Sequence, residues 1–346
     1  MERNQSYTEI HTSYIGMEKT MEKVLSHSDE IKNILCKGNE LVFVGCGSSY
    51  WMSMSAAHTI QARAKLKARA VKAGDIVMCP EDYAALYDEP VFILPSRSGL
   101  SQDLLTALEI LRSYYPDAKI FSIVAYENSK LADCSDFTIE IPWVNEISVC
   151  QTRTFNSLYT AFIAIAVILA ENSELLDDLR TYLANAPELY KRGEEKVKHI
   201  LAEQKQINTV VALGSGRQYG MVIEGAYIII EMAEMPCNYY QLLEYRHGPI
   251  VTETENTLVV ICGAGEHALA YEKQMAEEIK KAKVIWIGAP PQEGWCDYSF
   301  AAGRAYTPEV IGLYYSFVMQ SLAYHLSVAR GCDPDSPGEL VRFIIY

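Results

Sequence analysis

The stretch LVFVGCGSSY (41–50) returns as VVALGSGRQY (210–219), with Gly214, Gly216 and Tyr219 each standing 169 positions after Gly45, Gly47 and Tyr50. Each copy is an apolar run that closes in a glycine turn and opens a helical pattern, a β-turn-α unit. The echo continues downstream: EPVFILPS (89–96) is matched by NTLVVICG (256–263), and KIFSIVA (119–125) by KVIWIGA (283–289). Strands that alternate with helices pair in parallel and are covered on both faces, because each crossover lays a helix on the sheet. A twofold repeat of that pattern predicts an α/β fold of two tandem, doubly wound, flavodoxin-like sandwiches, each with three α/β/α layers. The expected division is an N-terminal helical segment over 1–35, a first domain over 36–173, a charged helical connector over 174–206 and a second domain over 207–346. Ligands of such folds gather at the carboxyl ends of the strands.

Bulk properties narrow the function. The chain has 30 Lys+Arg against 44 Asp+Glu, a net charge of 30 − 44 = −14, and no basic stripe, which argues against a nucleic-acid partner. The start MERNQSYTEI has no apolar leader, and the greasiest stretch, about 158–170, falls short of the roughly 18 residues that span a bilayer. A cytoplasmic protein with no membrane partner is expected. Nine cysteines, an odd number without a C-x-x-C, and no clustered histidines read as reduced thiols with no metal site. A dinucleotide is disfavoured as well, since GCGSSY and GSGRQY lack the third glycine and no acidic residue ends a strand about 20 residues on. No cofactor is expected.

Three places carry candidate chemistry. Ser96-Arg97-Ser98-Gly99-Leu100-Ser101 ends a strand and begins a helix, so backbone N–H groups, hydroxyls and a positive helix terminus converge there. A phosphate monoester fits that arrangement; so does plain helix capping, with Ser101 as N-cap. The neighbouring turn Gly45-Cys46-Gly47-Ser48-Ser49 adds small donors and tilts the reading toward phosphate. The second place is Glu231, inside the apolar helical run Tyr227-Ile228-Ile229-Ile230, where lost hydration would raise a carboxyl toward the range of proton transfer near neutrality; His247 follows it in EYRHGP. A solvent-facing carboxylate and a hydrogen-bonded core histidine are the plain alternatives for these two. The third is the turn Ser148-Val149-Cys150-Gln151-Thr152-Arg153, which either meets sugar hydroxyls or merely starts the next helix.

In this order the pieces GCGSS (45–49), SRSG-x-S (96–101), EISVCQTR (146–153), LGSGRQY (213–219), EGA (224–226), Glu231, EYRHGP (244–249) and CDPDSPGELVRF (332–343) resemble the sugar isomerase (SIS) domain family. The similarity is to its tandem arrangement, as in the isomerase half of glucosamine-6-phosphate synthase, and it covers nearly the whole chain. The resemblance implies that Ser96, Ser98 and Ser101 hold the phosphate of a hexose 6-phosphate derivative. Gly47, Ser49, Arg97, Gln151 and Thr152 would assist, and the C-terminal tail with Arg342 would lie over the active site. It further implies that Glu231 moves a proton between sugar carbons C1 and C2. His247 would act in ring opening from the neighbouring subunit of a homodimer, with larger assemblies left open.

The departures from the family pattern choose among reactions. The chain starts at the segment preceding the first SIS unit, so no glutaminase domain and no ammonia source are expected. Two lysines of the synthase site are replaced: Ile228 stands one turn before Glu231, and Arg342 stands in the tail. An arginine stays protonated and forms no Schiff base with a ketose. A substrate that already bears its amine at C1 needs no enzyme lysine, which points to a fructosamine-6-phosphate deglycase. Such an enzyme converts 6-phosphofructosyl-amino acids to glucose 6-phosphate and a free amine. The alternative is a phosphosugar aldose/ketose isomerase or an amino-sugar phosphate deaminase. A non-catalytic sugar-phosphate sensor is less favoured, since no basic helix-turn-helix precedes residue 40.

Overall fold

The computed structural model describes residues 4–289 and 294–345. Two five-stranded sheets form, as the repeat predicts. The first holds β1 (Glu40–Gly45), β2 (Ala68–Lys72), β3 (Pro90–Ser96), β4 (Lys119–Val124) and β5 (Phe137–Glu140), in the order β2-β1-β3-β4-β5. The second holds β6 (Thr209–Gly214), β7 (Cys237–Gln241), β8 (Thr257–Cys262), β9 (Lys283–Gly288) and β10 (Tyr298–Ala301), in the order β10-β9-β8-β6-β7. Read from its other edge, the second order is that of the first, and every pairing in both is parallel. The central strands β1, β3 and β8 are buried along their whole length, which is why they read as unbroken apolar runs. The edge strands β2 and β10, absent from the expectation, are short and partly polar because only one side is paired.

Helices close both faces of each sheet. On one face of the first, Val42, Val44, Phe92, Leu94, Ile120 and Val124 pack with Leu104, Leu105, Leu108 and Leu111 of the helix Gln102–Tyr114. On the other, Phe43 meets Phe162 edge to face at 5.3 Å. The helix Arg153–Ala170 carrying Phe162 is 18 residues long, so the greasy stretch exceeds its expected length and is apolar enough to cross a membrane by composition; 83% of it is buried inside the fold. The charged connector forms a single helix, Ser173–Glu203.

The compact units are not contiguous blocks of sequence. One comprises the residues up to Thr12, Ile147–Thr152 and Asp177–Leu340, and holds the second sheet. The other comprises Ser13–Glu146, Arg153–Leu176 and the residues from Val341 on, and holds the first. Hydrogen bonds explain the odd membership of the first unit. Asp335 accepts the Gln5 and Ser6 amides at 2.9 and 2.8 Å, where a carboxylate complements the start of the helix Gln5–His11. Glu9 of that helix accepts the Ile147 amide at 2.6 Å and the Ser148 hydroxyl, and the Val149 amide donates to Asp335 O at 2.9 Å.

Candidate active site

In the first sheet the polar turns sit at the switch point between β1 and β3, where successive crossovers leave in opposite directions and open a crevice. A Cβ on Gly45 would lie 2.8 Å from backbone atoms of Ser49 and Tyr50, and Gly47 has φ +50°, so the tight turn into the helix Ser48–Ala64 needs glycine twice. Burial, with Asp103 adding to it, pushes the Cys46 thiol in this turn up to about 12, which removes it as a nucleophile. After β3, Ser96 Oγ accepts the Gly99 amide at 2.9 Å and Ser98 Oγ accepts the Leu100 amide at 3.1 Å. Each hydroxyl keeps its own proton for another acceptor. Ser101 is the N-cap of the helix Gln102–Tyr114 but makes no side-chain capping bond. Among the described residues, neither its hydroxyl nor that of Ser49 has a protein partner. Helix capping therefore does not account for Ser101, and of the four hydroxyls in these two turns those of Ser49 and Ser101 are uncommitted.

Arg97 is turned to other partners. Its guanidinium is 3.8 Å from the Glu146 carboxylate, both side chains almost fully buried, and its Nη2 donates to Arg342 O at 2.7 Å. The tail docks a second time where the Gln102 amide, at the helix start, donates to Ile344 O at 3.0 Å. Both contacts use tail carbonyls. Arg342 is half-buried, and its guanidinium has no carboxylate partner among the described residues. A separate cavity of about 620 Å³ opens at the amino ends of β3 and β4, lined by Lys37, Glu89 and Lys119 among others, at the opposite end of the strands from the serines.

The other unit holds Glu231. It lies in the last turn of the helix Tyr219–Ala233, in one row with Glu224 and Tyr227 at helical spacing. Glu231 is half-buried rather than sunk in the apolar interior, because Ile228 and Ile229 take the core positions at 1% and 0% exposure. The buried carboxyl of the row is Glu224, 2% exposed, to which sequence reasoning assigns no role; its signal is the seven-residue spacing to Glu231. Tyr227 stands between them, its hydroxyl raised by burial first, then by Tyr239, Glu231 and Glu224. The Tyr227 and Tyr239 rings are 6.1 Å apart. The helix thus carries two acids and a hydrogen-bonding phenol on one stripe, toward the amino end of β7.

His247 ends the 3-10 turn Leu242–His247 and is exposed, so it is no core histidine. Leu242 and Tyr245 of that turn pack with Met275 and Trp286 on one face of the second sheet. The helix Tyr219–Ala233 packs on the other face, where a Cβ on Gly225 would lie 2.7 Å from Tyr315 of the helix Pro308–Arg330. Within one chain the sheet stands between Glu231 and His247. In the same unit Thr152 is fully buried and its carbonyl accepts from Gln320 Nε2 at 3.3 Å, while Gln151 is half-buried. With Ser148 held by Glu9, this turn is a tethered element rather than a simple helix start. Among the described residues no group of three or more His, Cys, Asp or Glu side chains could hold a metal ion.

Residues 34–170 match the SIS domain family. That match spans the first sheet, from β1 to β5. Solved structures of similar fold cover both parallel sheets. One is glucosamine-6-phosphate deaminase from Thermotoga maritima, 24% identical with TM-score 0.76, covering 95% of this chain and 100% of that one. Another is tagatose-6-phosphate ketose/aldose isomerase from Escherichia coli, 19% identical with TM-score 0.82, covering 98% and 96%. Among curated relatives, glutamine–fructose-6-phosphate aminotransferase from Photorhabdus laumondii is 23% identical over 99% of this chain. The chain spans 59% of that relative's length.

Proposed function

We propose that this protein is a phosphosugar enzyme that transfers a proton between C1 and C2 of a hexose 6-phosphate derivative. Its substrate would be a 6-phosphofructosyl-amino acid, cleaved to glucose 6-phosphate and a free amine. The observation that carries the phosphate part is the group of serines at the β1/β3 switch point, with the Ser49 and Ser101 hydroxyls uncommitted. Ser96 and Ser98 would donate their remaining protons to the same phosphate. The relatives named above act on sugar phosphates by their names, which agrees with that class.

For the reaction itself, Glu231 is the proton carrier and Glu224 and Tyr227 set its surroundings. Ile228, buried where a lysine would face Glu231 from one turn away, leaves no amine on this stripe for a Schiff base. A ketoamine brings its own nitrogen. Removal of the C1 proton by Glu231 and its return at C2 convert the ketoamine to a glycosylamine, whose C–N bond water then opens. His247 supplies or accepts the proton on oxygen or nitrogen. Because the sheet separates it from Glu231 in one chain, His247 would serve a partner's site in a homodimer.

Isomerisation or deamination of an unsubstituted sugar phosphate is the second reading, favoured by the fold shared with the deaminase and the ketose/aldose isomerase. Product analysis separates the two. Release of a free amino acid together with glucose 6-phosphate from 6-phosphofructosyl-amino acids supports the deglycase. Turnover of fructose 6-phosphate or glucosamine 6-phosphate, with the adducts left intact, overturns it.

A further inference from the structure

The second sheet has a switch point of its own, between β6 and β8, but its chemistry differs from that of the first. Where the first sheet follows β3 with Ser96, Ser98 and Ser101, the second follows β8 with Gly263-Ala264-Gly265-Glu266 and offers no hydroxyl. A cavity of about 300 Å³ opens beyond the carboxyl ends of β8 and β9, lined by Gly263, Gly265, Leu269, Glu272, Trp286 and Tyr306 among others. That volume is at the lower end of the range for small-ligand sites.

Its polar feature is Glu272, 1% exposed. One carboxylate oxygen accepts the Ala264 amide at 2.7 Å and the other the Trp286 indole N–H at 2.8 Å. Burial raises the carboxyl, against the pull of those two donors, and no cation lies close enough to lower it. Among the described residues Glu272 forms no ion pair, so a buried acid faces a cavity without a counter-charge, an arrangement that costs free energy until a cation arrives. The aromatic wall is rigid. A Cβ on Gly288 would fall 2.3 Å from the Trp286 ring and one on Gly263 3.3 Å from it, so both glycines let the indole lie against backbone. Trp295 adds an edge-to-face contact at 5.7 Å.

We propose that this cavity binds a small primary ammonium ligand, its charged head on Glu272 and its apolar body against Trp286 and Tyr306. The carboxylate oxygens retain lone pairs for ammonium protons after taking the two N–H donors. Aromatic faces attract the same charge, and the site repels the phosphates that the first sheet suits. The proposal is read by binding and does not depend on which reaction the chain catalyses.

The test is a titration of the full chain with n-butylammonium, with n-butanol and butyrate as size-matched controls. It is followed by tryptophan fluorescence and by NMR saturation transfer to the butyl protons. Saturable binding of the ammonium alone is expected, weakened about tenfold or more in Glu272→Gln, which removes a charge-assisted bond and keeps the shape. The Ala305→Trp change, at an exposed lining position away from the carboxylate, is expected to block the mouth and abolish binding without touching the core. It also decides the question should Glu272→Gln fail to fold. Equal binding of butanol, no saturable signal, or undiminished binding in either folded variant overturns the proposal.

Discussion

Gly99 turns the serine segment at φ +64°, and a Cβ there would lie 2.3 Å from Ser129 Oγ and 2.6 Å from Ser129 Cβ. Ser129 is not free to retreat, for its Oγ accepts the Ala132 amide at 3.3 Å as N-cap of the short helix Lys130–Asp133. Gly99→Ala therefore combines about 1–2 kcal/mol for a left-handed L-residue with about 1–3 kcal/mol for overpacking. The expected loss is about 2–5 kcal/mol. Ser129→Gly removes the obstructing atoms and by itself costs only about a few tenths of a kcal/mol, since glycine is an acceptable N-cap. In the double variant the backbone term stays and the overpacking term disappears. The cycle should thus show a favourable coupling of about 1–3 kcal/mol. Urea denaturation monitored by circular dichroism measures all four proteins, with equal slopes required for the comparison. Additivity within about 0.5 kcal/mol would mean that Gly99 does not abut Ser129, and the account of this turn would fail.

The other expectations concern the site and its surroundings. Glu231→Ala and His247→Ala each lower turnover by about 10²–10⁴ while sugar-phosphate binding persists, and mixing the two inactive chains restores part of the activity; more than about a tenth of the wild-type rate in both variants removes those roles. Ser101→Ala raises KM for the phosphorylated substrate but costs under about 0.5 kcal/mol of stability, because no cap bond is lost; a loss near 1 kcal/mol would return Ser101 to the role of a helix cap. Burial, with Lys198 and His11 adding to it and Glu194 opposing, holds His325 below its ordinary value of 6.5. The unfolded chain then takes the proton first, so this contribution to stability is present above 6.5 and is lost as pH falls through the depressed folded value. Urea midpoints at about pH 7.5 and about pH 5.5 should differ more in the wild type than in His325→Asn, and equal differences would sink that assignment.

Much of the architecture could be read along the chain. The interval of 169 between glycine turns is the interval between β1 and β6, since 209 − 40 = 169, and the central strands declare themselves because burial on both faces demands continuous apolar side chains. The edge strands β2 and β10 gave weaker signals, being half exposed. The serine turn was legible as a place but not as a role: nothing local tells a capping hydroxyl from an uncommitted one, and that is settled by which N–H each oxygen meets.

The sequence alone determined the duplication, the parallel sheets and the candidate chemical groups, because hydrophobic periodicity and turn residues act over a few positions. Long-range packing decided the rest. It put Ile228 and Ile229 in the core and left Glu231 half-buried, made Glu224 the buried acid, turned Arg97 toward Glu146 and the tail, and set the second sheet between Glu231 and His247. Each of these depends on which segments the crossovers bring together, and sequence spacing carries no record of that until the sheets close.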